Sequence, residues 1–256
     1  EGVRTQAKST IVEGEKDTDT EFRDGKVVVG MSARKGRRLV QEDVSIAFTL
    51  SDFKFLTEAE KDARLRATVA EMQEKEKARQ LAAHREREQK AGTTLSLEEM
   101  GSTVCGTIAY RQGNKVFAST TSLGDSKSFL VIVNNGTAEV ILLNKLQKPA
   151  NGRLATPPHI STAGAVGALN SQRDIEFKQV PNIDHHEIEI PAGAKAFIVN
   201  TCDGITEKDA VTKAGIGLCV TAFANSPAEI ASRTTQAALT KGSGDNLSAE
   251  VFEITD

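Results

Sequence analysis

Four short acidic motifs are spread along this chain of 256 residues: Gly36-Arg37-Arg38-Leu39-Val40-Gln41-Glu42-Asp43, Gly124-Asp125-Ser126, Cys202-Asp203-Gly204-Ile205 and Gly244-Asp245-Asn246-Leu247-Ser248. Each sets a carboxylate beside a glycine or at the edge of an apolar, strand-like run. Oxygen-only acidic clusters suit hard divalent cations, Mg²⁺ or Mn²⁺. Carboxylates so remote in sequence can share an ion only where a sheet gathers them. The motifs are therefore an expectation about the fold as well as about chemistry.

The elements that would do the gathering follow from patterning. Residues 26–33 and 44–50 read as strands, the second alternating apolar and polar. Residues 57–90 hold no Gly or Pro and are rich in Ala, Glu, Lys, Arg and Gln, which predicts one long helix. Thr57 with Glu60 forms a capping-box signature, and Gly92 is a stop. Four strands are expected at 102–110, 115–122, 128–133 and 138–143. Gln112-Gly113-Asn114 and Asn134-Asn135-Gly136 are hairpin turns. Residues 144–182 carry four of the six prolines and form a long irregular segment of the kind that is functional or mobile. Residues 186–190 and 194–201 read as another hairpin around Pro191-Ala192-Gly193. Helices are expected at 206–224 and 227–240, the second opened by Ser226-Pro227, with a last strand at 247–254. Strands before and after every helical stretch predict an α+β domain with mostly antiparallel sheets and helices outside. Residues 1–25 are polar and are expected to be partly ordered, leaving 26–256 as a single domain.

Composition narrows the function classes. A net charge of −3 without a basic block excludes an electrostatic case for nucleic acid or an anionic membrane surface. No apolar run is long enough for a membrane-spanning helix, and the first residues do not read as a signal peptide. Three cysteines at unrelated spacings (Cys105, Cys202, Cys219) suit a reducing compartment, and the cytoplasm is the expected location. His185 and His186, adjacent on an expected strand, point to opposite faces and are not read as a zinc pair.

In this order, the motifs resemble those of the PP2C (PPM) family of metal-dependent protein phosphatases, over residues 28–254. The family's first motif, Gly-x-Arg-x-x-x-Glu-Asp, matches at Gly36, Arg38, Glu42 and Asp43. The resemblance implies that Arg38 grips a substrate phosphate, a task suited to a planar guanidinium. It implies that Glu42 ligates a metal largely through waters, and that Asp43 supports it from behind. Gly101-Ser102-Thr103 matches a Gly-Ser-Thr motif and gives Thr103 a supporting role. Asp125 would reach toward a third, weaker metal. Asp203 and Asp245 would be direct ligands, with Asn246 supporting Asp245 or its strand. The implied fold is a four-layer α-β-β-α sandwich of two antiparallel sheets flanked by helices. The implied activity is that of a serine/threonine phosphoprotein phosphatase, hydrolysing phosphate monoesters through a water activated by two Mg²⁺ or Mn²⁺ ions.

The chain departs from the family in one motif. The Asp-Gly-His or Asp-Gly-Met-Gly-Gly, whose aspartate bridges both metals, is not found. Its region holds Ser51-Asp52-Phe53, only nine residues after Asp43, so Asp52 is the remaining candidate for the bridge. The usual Ser-Arg-x-x-Gly-Asp is also scrambled over residues 167–174. The alternative reading is a PP2C-like pseudophosphatase, a scaffold that binds a protein partner through helix 57–90 or the 144–182 segment.

Overall fold

A computed structural model describes residues 9–12, 17–37, 45–48, 52–92, 103–146 and 181–255. Eleven strands and four α-helices are found among them. The strands are β1 (Ser9–Val12), β2 (Thr18–Asp24), β3 (Val27–Arg34), β4 (Ser45–Phe48), β5 (Val104–Gln112), β6 (Lys115–Leu123), β7 (Lys127–Asn134), β8 (Thr137–Leu142), β9 (Asn182–Glu189), β10 (Lys195–Thr201) and β11 (Leu247–Glu253). The helices are α1 (Glu58–Ala91), α2 (Asp203–Thr206), α3 (Lys213–Ala222) and α4 (Pro227–Thr240). A six-stranded sheet in the order β2-β3-β11-β10-β7-β8 faces a three-stranded sheet β5-β6-β9, and β1 pairs with β4. Every pairing is antiparallel.

The period-two pattern sorts the side chains into layers. On the six-stranded sheet, Phe129, Val131, Phe197, Val199, Ala249 and Val251 face α3 and α4 and pack with Ile216, Val220 and Ile230. The alternate residues Leu130, Ile132, Ala196 and Ile198 face the second sheet and meet Val116 and Ala118 of β6. The outer face of that second sheet is covered by α1, where Val69 packs on Leu123 and Val104. Helix, sheet, sheet, helix is thus the order of layers.

Local chemistry sets the ends of the elements. Thr57 and Glu60 close a capping box: Glu60 N donates to Thr57 Oγ1 at 3.3 Å, and Thr57 N donates to Glu60 Oε2 at 2.8 Å. Ser226 Oγ caps α4 by accepting from Glu229 N at 3.2 Å. Helix α1 is held to the sheet by polar contacts as well as apolar ones. Lys61 Nζ sits over the rings of Phe53 and Tyr110 at 5.7 and 5.3 Å. His185 Nε2 lies 2.7 Å from Asp62 Oδ1, and its Nδ1 lies 2.9 Å from Ser119 Oγ. His186 turns the other way, to Leu143 O at 2.6 Å, so the two rings do occupy opposite faces.

Two expectations are corrected. Residues 186–201 are not a hairpin: β9 pairs with β6 and β10 with β7, so Pro191-Ala192-Gly193 carries the chain from one sheet to the other. Ile190 and Ala194, on either side of the turn, are both buried in the core between the sheets, which pulls the flanking strands apart. The helix expected over 206–224 is broken. Asp209 adopts a left-handed φ of 57°, and Thr212 caps a new helix by accepting from Gly215 N at 3.2 Å. Strand β2, within the segment expected to be partly ordered, forms a full ladder to β3 despite its polar sequence.

No helix among the described residues is long and apolar enough to cross a membrane.

Strand β2 is also tied to α4. Asp19 Oδ2 accepts from Arg34 Nη2 at 2.5 Å and from Ser232 Oγ at 3.1 Å. Burial alone would raise the Asp19 pKa, but hydrogen bonds from Arg34, Ser32 and Ser232 outweigh it and hold the carboxyl below its ordinary value. A carboxylate lowered on folding adds stability above its unfolded pKa, and that stability is lost as pH falls through the folded value. Urea midpoints measured between about pH 6 and pH 3 should therefore fall less steeply for Asp19→Asn than for the native chain. Parallel curves would exclude this contribution.

Candidate metal-binding edge

Four strand ends meet at one edge of the six-stranded sheet. The ladder pairs Arg34 with Leu247, Ala249 with Thr201, and Thr201 with Lys127. Because neighbours are antiparallel, β3 and β10 leave the sheet where β11 and β7 enter it. Gly36 comes two positions after Arg34, Asp203 two after Thr201, Asp245 two before Leu247 and Asp125 two before Lys127. The antiparallel ladder thus brings Gly36, Asp125, Asp203 and Asp245 to a common edge.

The turns touch through their backbones. A Cβ on Gly204 would lie 2.1 Å from Asn246 O and 3.1 Å from Asp245 Cβ. One on Gly36, whose φ is +63°, would lie 2.0 Å from Asp245 O. Glycine is required at both sites because nothing larger fits. Hydrogen bonds complete the contact. Buried Asn246 donates through Nδ2 to Lys35 O at 3.1 Å, and its backbone N donates to Asp245 Oδ1 at 2.8 Å. Ser243 Oγ donates to Gly204 O at 2.8 Å. Cys202 N donates to Ser248 O at 3.2 Å.

Asp125 sits in a turn that crosses from β6 in one sheet to β7 in the other. Buried Asn144 pins that turn: its Nδ2 donates to Ser126 O and its Oδ1 accepts from Ser128 N, each at 2.9 Å. Thr103 Oγ1 lies 3.4 Å from Ser126 Oγ, so the Gly-Ser-Thr strand start joins the same edge. Asn144 is a site-shaping residue that motif reading misses, since it lies in no acidic motif and looks only like the start of an irregular segment.

Asp52, the remaining candidate for the bridge, pairs with a side chain of α1. Its Oδ2 pairs with Arg64 Nη1 at 2.8 Å, and the Arg64 hydrogen bond holds its pKa below the ordinary value. The adjacent Phe53 shares the Lys61 ammonium with Tyr110. Tyr110 is six positions along β5 from Val104, about 20 Å at ~3.4 Å per residue, away from the Thr103 end. Arg38, Glu42 and Asp43 lie outside the described residues, as do residues 167–174. Arg37, the last described residue before them, brings its Cδ within 3.9 Å of a Cβ built on Gly244.

The interior beneath this edge is polar, unlike the apolar far end. Thr107 Oγ1 lies 2.9 Å from Thr120 Oγ1 and 2.6 Å from Ser128 Oγ. Asn200 Nδ2 donates to Glu250 Oε2 at 3.4 Å across the β10–β11 ladder. Asn200 Oδ1 and Thr201 Oγ1 are buried without a hydrogen-bond partner. These oxygens lie at the same strand end as Asp203 and Asp245, and oxygen is the donor type a hard cation takes. Among the described residues, no group of three or more His, Cys, Asp or Glu side chains is arranged to hold a metal. Desolvation, with the Glu250 carboxylate adding to it, pushes the Cys105 thiol up to about 12.

No family model matches the chain, and no curated protein matches it. Solved structures do. A Caenorhabditis elegans sex determining protein aligns over 98% of this chain and 65% of its own, at 14% identity and a TM-score of 0.52. The Mycobacterium tuberculosis serine/threonine phosphatase PstP/Ppp aligns over 98% of this chain and 99% of its own, at 17% identity and a TM-score of 0.47. The catalytic domain of serine/threonine protein phosphatase PstP, in complex with two manganese ions, aligns over 97% and 99%, at 16% identity and a TM-score of 0.48. At these identities the likeness is one of fold.

Two outcomes test the geometry. Gly204→Ala should lower stability by about 1–3 kcal/mol or more, read from urea unfolding, because its methyl must displace the Asn246 carbonyl; an unchanged midpoint would refute the close contact. Iodoacetamide at pH 8 should leave Cys105 unmodified in the native chain and label it in urea, read by peptide mass spectrometry, because the thiolate is the reactive form. Rapid native labelling would mean the thiol is not so enclosed.

Proposed function

We propose that this chain is a metal-dependent serine/threonine phosphoprotein phosphatase of the PP2C type. The observation that carries the reading is the meeting of the β3, β7, β10 and β11 ends at one sheet edge, because those ends bear the four motifs that resemble the family's. Asp203 and Asp245, from touching turns, would hold Mg²⁺ or Mn²⁺ together with Glu42. A cation held there would supply Lewis acidity and an activated water for phosphate monoester hydrolysis. Arg38 would orient the substrate phosphate through paired hydrogen bonds. Thr103 would steady the Asp125 turn, and Asp43 would support Glu42. The substrate class would be phosphoserine and phosphothreonine proteins.

One observation favours a second reading. Asp52, the remaining candidate for the bridging carboxylate, is paired with Arg64. A site without that bridge would hold a cation less firmly, and the chain would then serve as a PP2C-like scaffold for a protein partner.

Hydrolysis of p-nitrophenyl phosphate and of a phosphothreonine peptide with Mn²⁺ separates the two. The native chain should turn over both substrates, and Asp203→Asn and Asp245→Asn should each lose about 100-fold or more, roughly 2.7 kcal/mol of barrier. No turnover by the native chain would leave the scaffold reading; equal turnover by the variants would sink the assignment of the aspartates.

A further inference from the structure

We infer that Cys202 and Ser243 are positioning residues that set the spacing of Asp203 and Asp245 for a divalent cation, without touching it. The inference rests on the proposal that these two aspartates share the ion. Two carboxylates on adjoining turns repel each other when no cation lies between them, so the turns need a tie of their own. The structure has one. The Cys202 thiol donates to Asn246 O at 3.3 Å and accepts from Ser248 N at 3.1 Å. Ser243 Oγ donates to Gly204 O at 2.8 Å. The two side chains therefore cross in opposite directions: one reaches from the Asp203 turn to the Asp245 turn, and the other returns.

The thiol's part is specific. Sulfur acts here as donor and acceptor at once, and its partners flank Leu247, the first residue of β11. Alanine would leave Asn246 O and Ser248 N without these bonds, whereas serine keeps one donor and one acceptor at the same branch point. Ser243 has a single donation to lose. Neither change removes a carboxylate, so the ligands would remain while their relative placement loosens. Groups that orient metal ligands in this way typically alter affinity by 10–100-fold.

Titration of the intact chain with Mn²⁺, followed by calorimetry and by the electron paramagnetic resonance of free Mn²⁺, tests this without relying on turnover. Cys202→Ala and Ser243→Ala should each bind Mn²⁺ about tenfold more weakly. Cys202→Ser should recover most of the loss, and Asp203→Asn should abolish binding. Circular dichroism melts of metal-free samples check that each variant is folded; should Cys202→Ala fail to fold, Ser243→Ala and Cys202→Ser carry the test. Native affinity in Ser243→Ala and in Cys202→Ala, or equal weakness in Cys202→Ser and Cys202→Ala, would overturn the inference while the metal proposal stands. Absence of Mn²⁺ binding by the native chain would instead overturn the metal proposal, and this inference with it.

Discussion

Backbone contact between the Asp203 turn and the Asp245 turn is the constraint on which the candidate site depends. Gly204 lies so close to Asn246 O that any side chain would displace it, and Gly36 stands in the same relation to Asp245 O. A single carbonyl shift there would move both the late aspartates and the route by which the chain enters the Arg38–Asp43 segment. The surrounding ladder exists at that edge because β3, β11, β10 and β7 are consecutive neighbours with matched registers. Carboxylate chemistry and sheet topology are thus one problem in this molecule.

The sandwich interior is graded to serve that edge. Its far half is filled by aliphatic side chains that exclude water and hold the sheets together. Toward the edge, hydroxyls, an amide and a carboxylate replace them, and most are tied into short hydrogen-bond chains. Such polarity inside a protein costs stability unless it is satisfied. Its confinement to the end that carries the aspartates marks it as belonging to the site rather than to the core.

Much of this was legible in sequence where one local signal decides the outcome. The capping box at Thr57 and Glu60, the stop at Gly92 and the Ser226-Pro227 start are each encoded within four residues, and each is realised. The α+β layering followed from the alternation of strands and helices. What sequence left obscure concerns partners rather than elements. Residues 182–189 and 195–201 are plain strands, but nothing in the turn between them reveals that they belong to different sheets. Asp52 looked like a strand-end carboxylate because Arg64, its partner, lies 12 positions on, near the start of α1. Asn144 bore no motif at all, because its role comes from three-dimensional proximity to Ser126 and Ser128.

Two crossings between the sheets, β6 to β7 and β9 to β10, are made by short turns. Strands β7 and β10 lie side by side in one sheet, and β6 and β9 lie side by side in the other. Peeling either sheet away would therefore drag on two seams at once. The chain must close distant loops before any of that pairing is rewarded, a topology that slows folding relative to local helical designs.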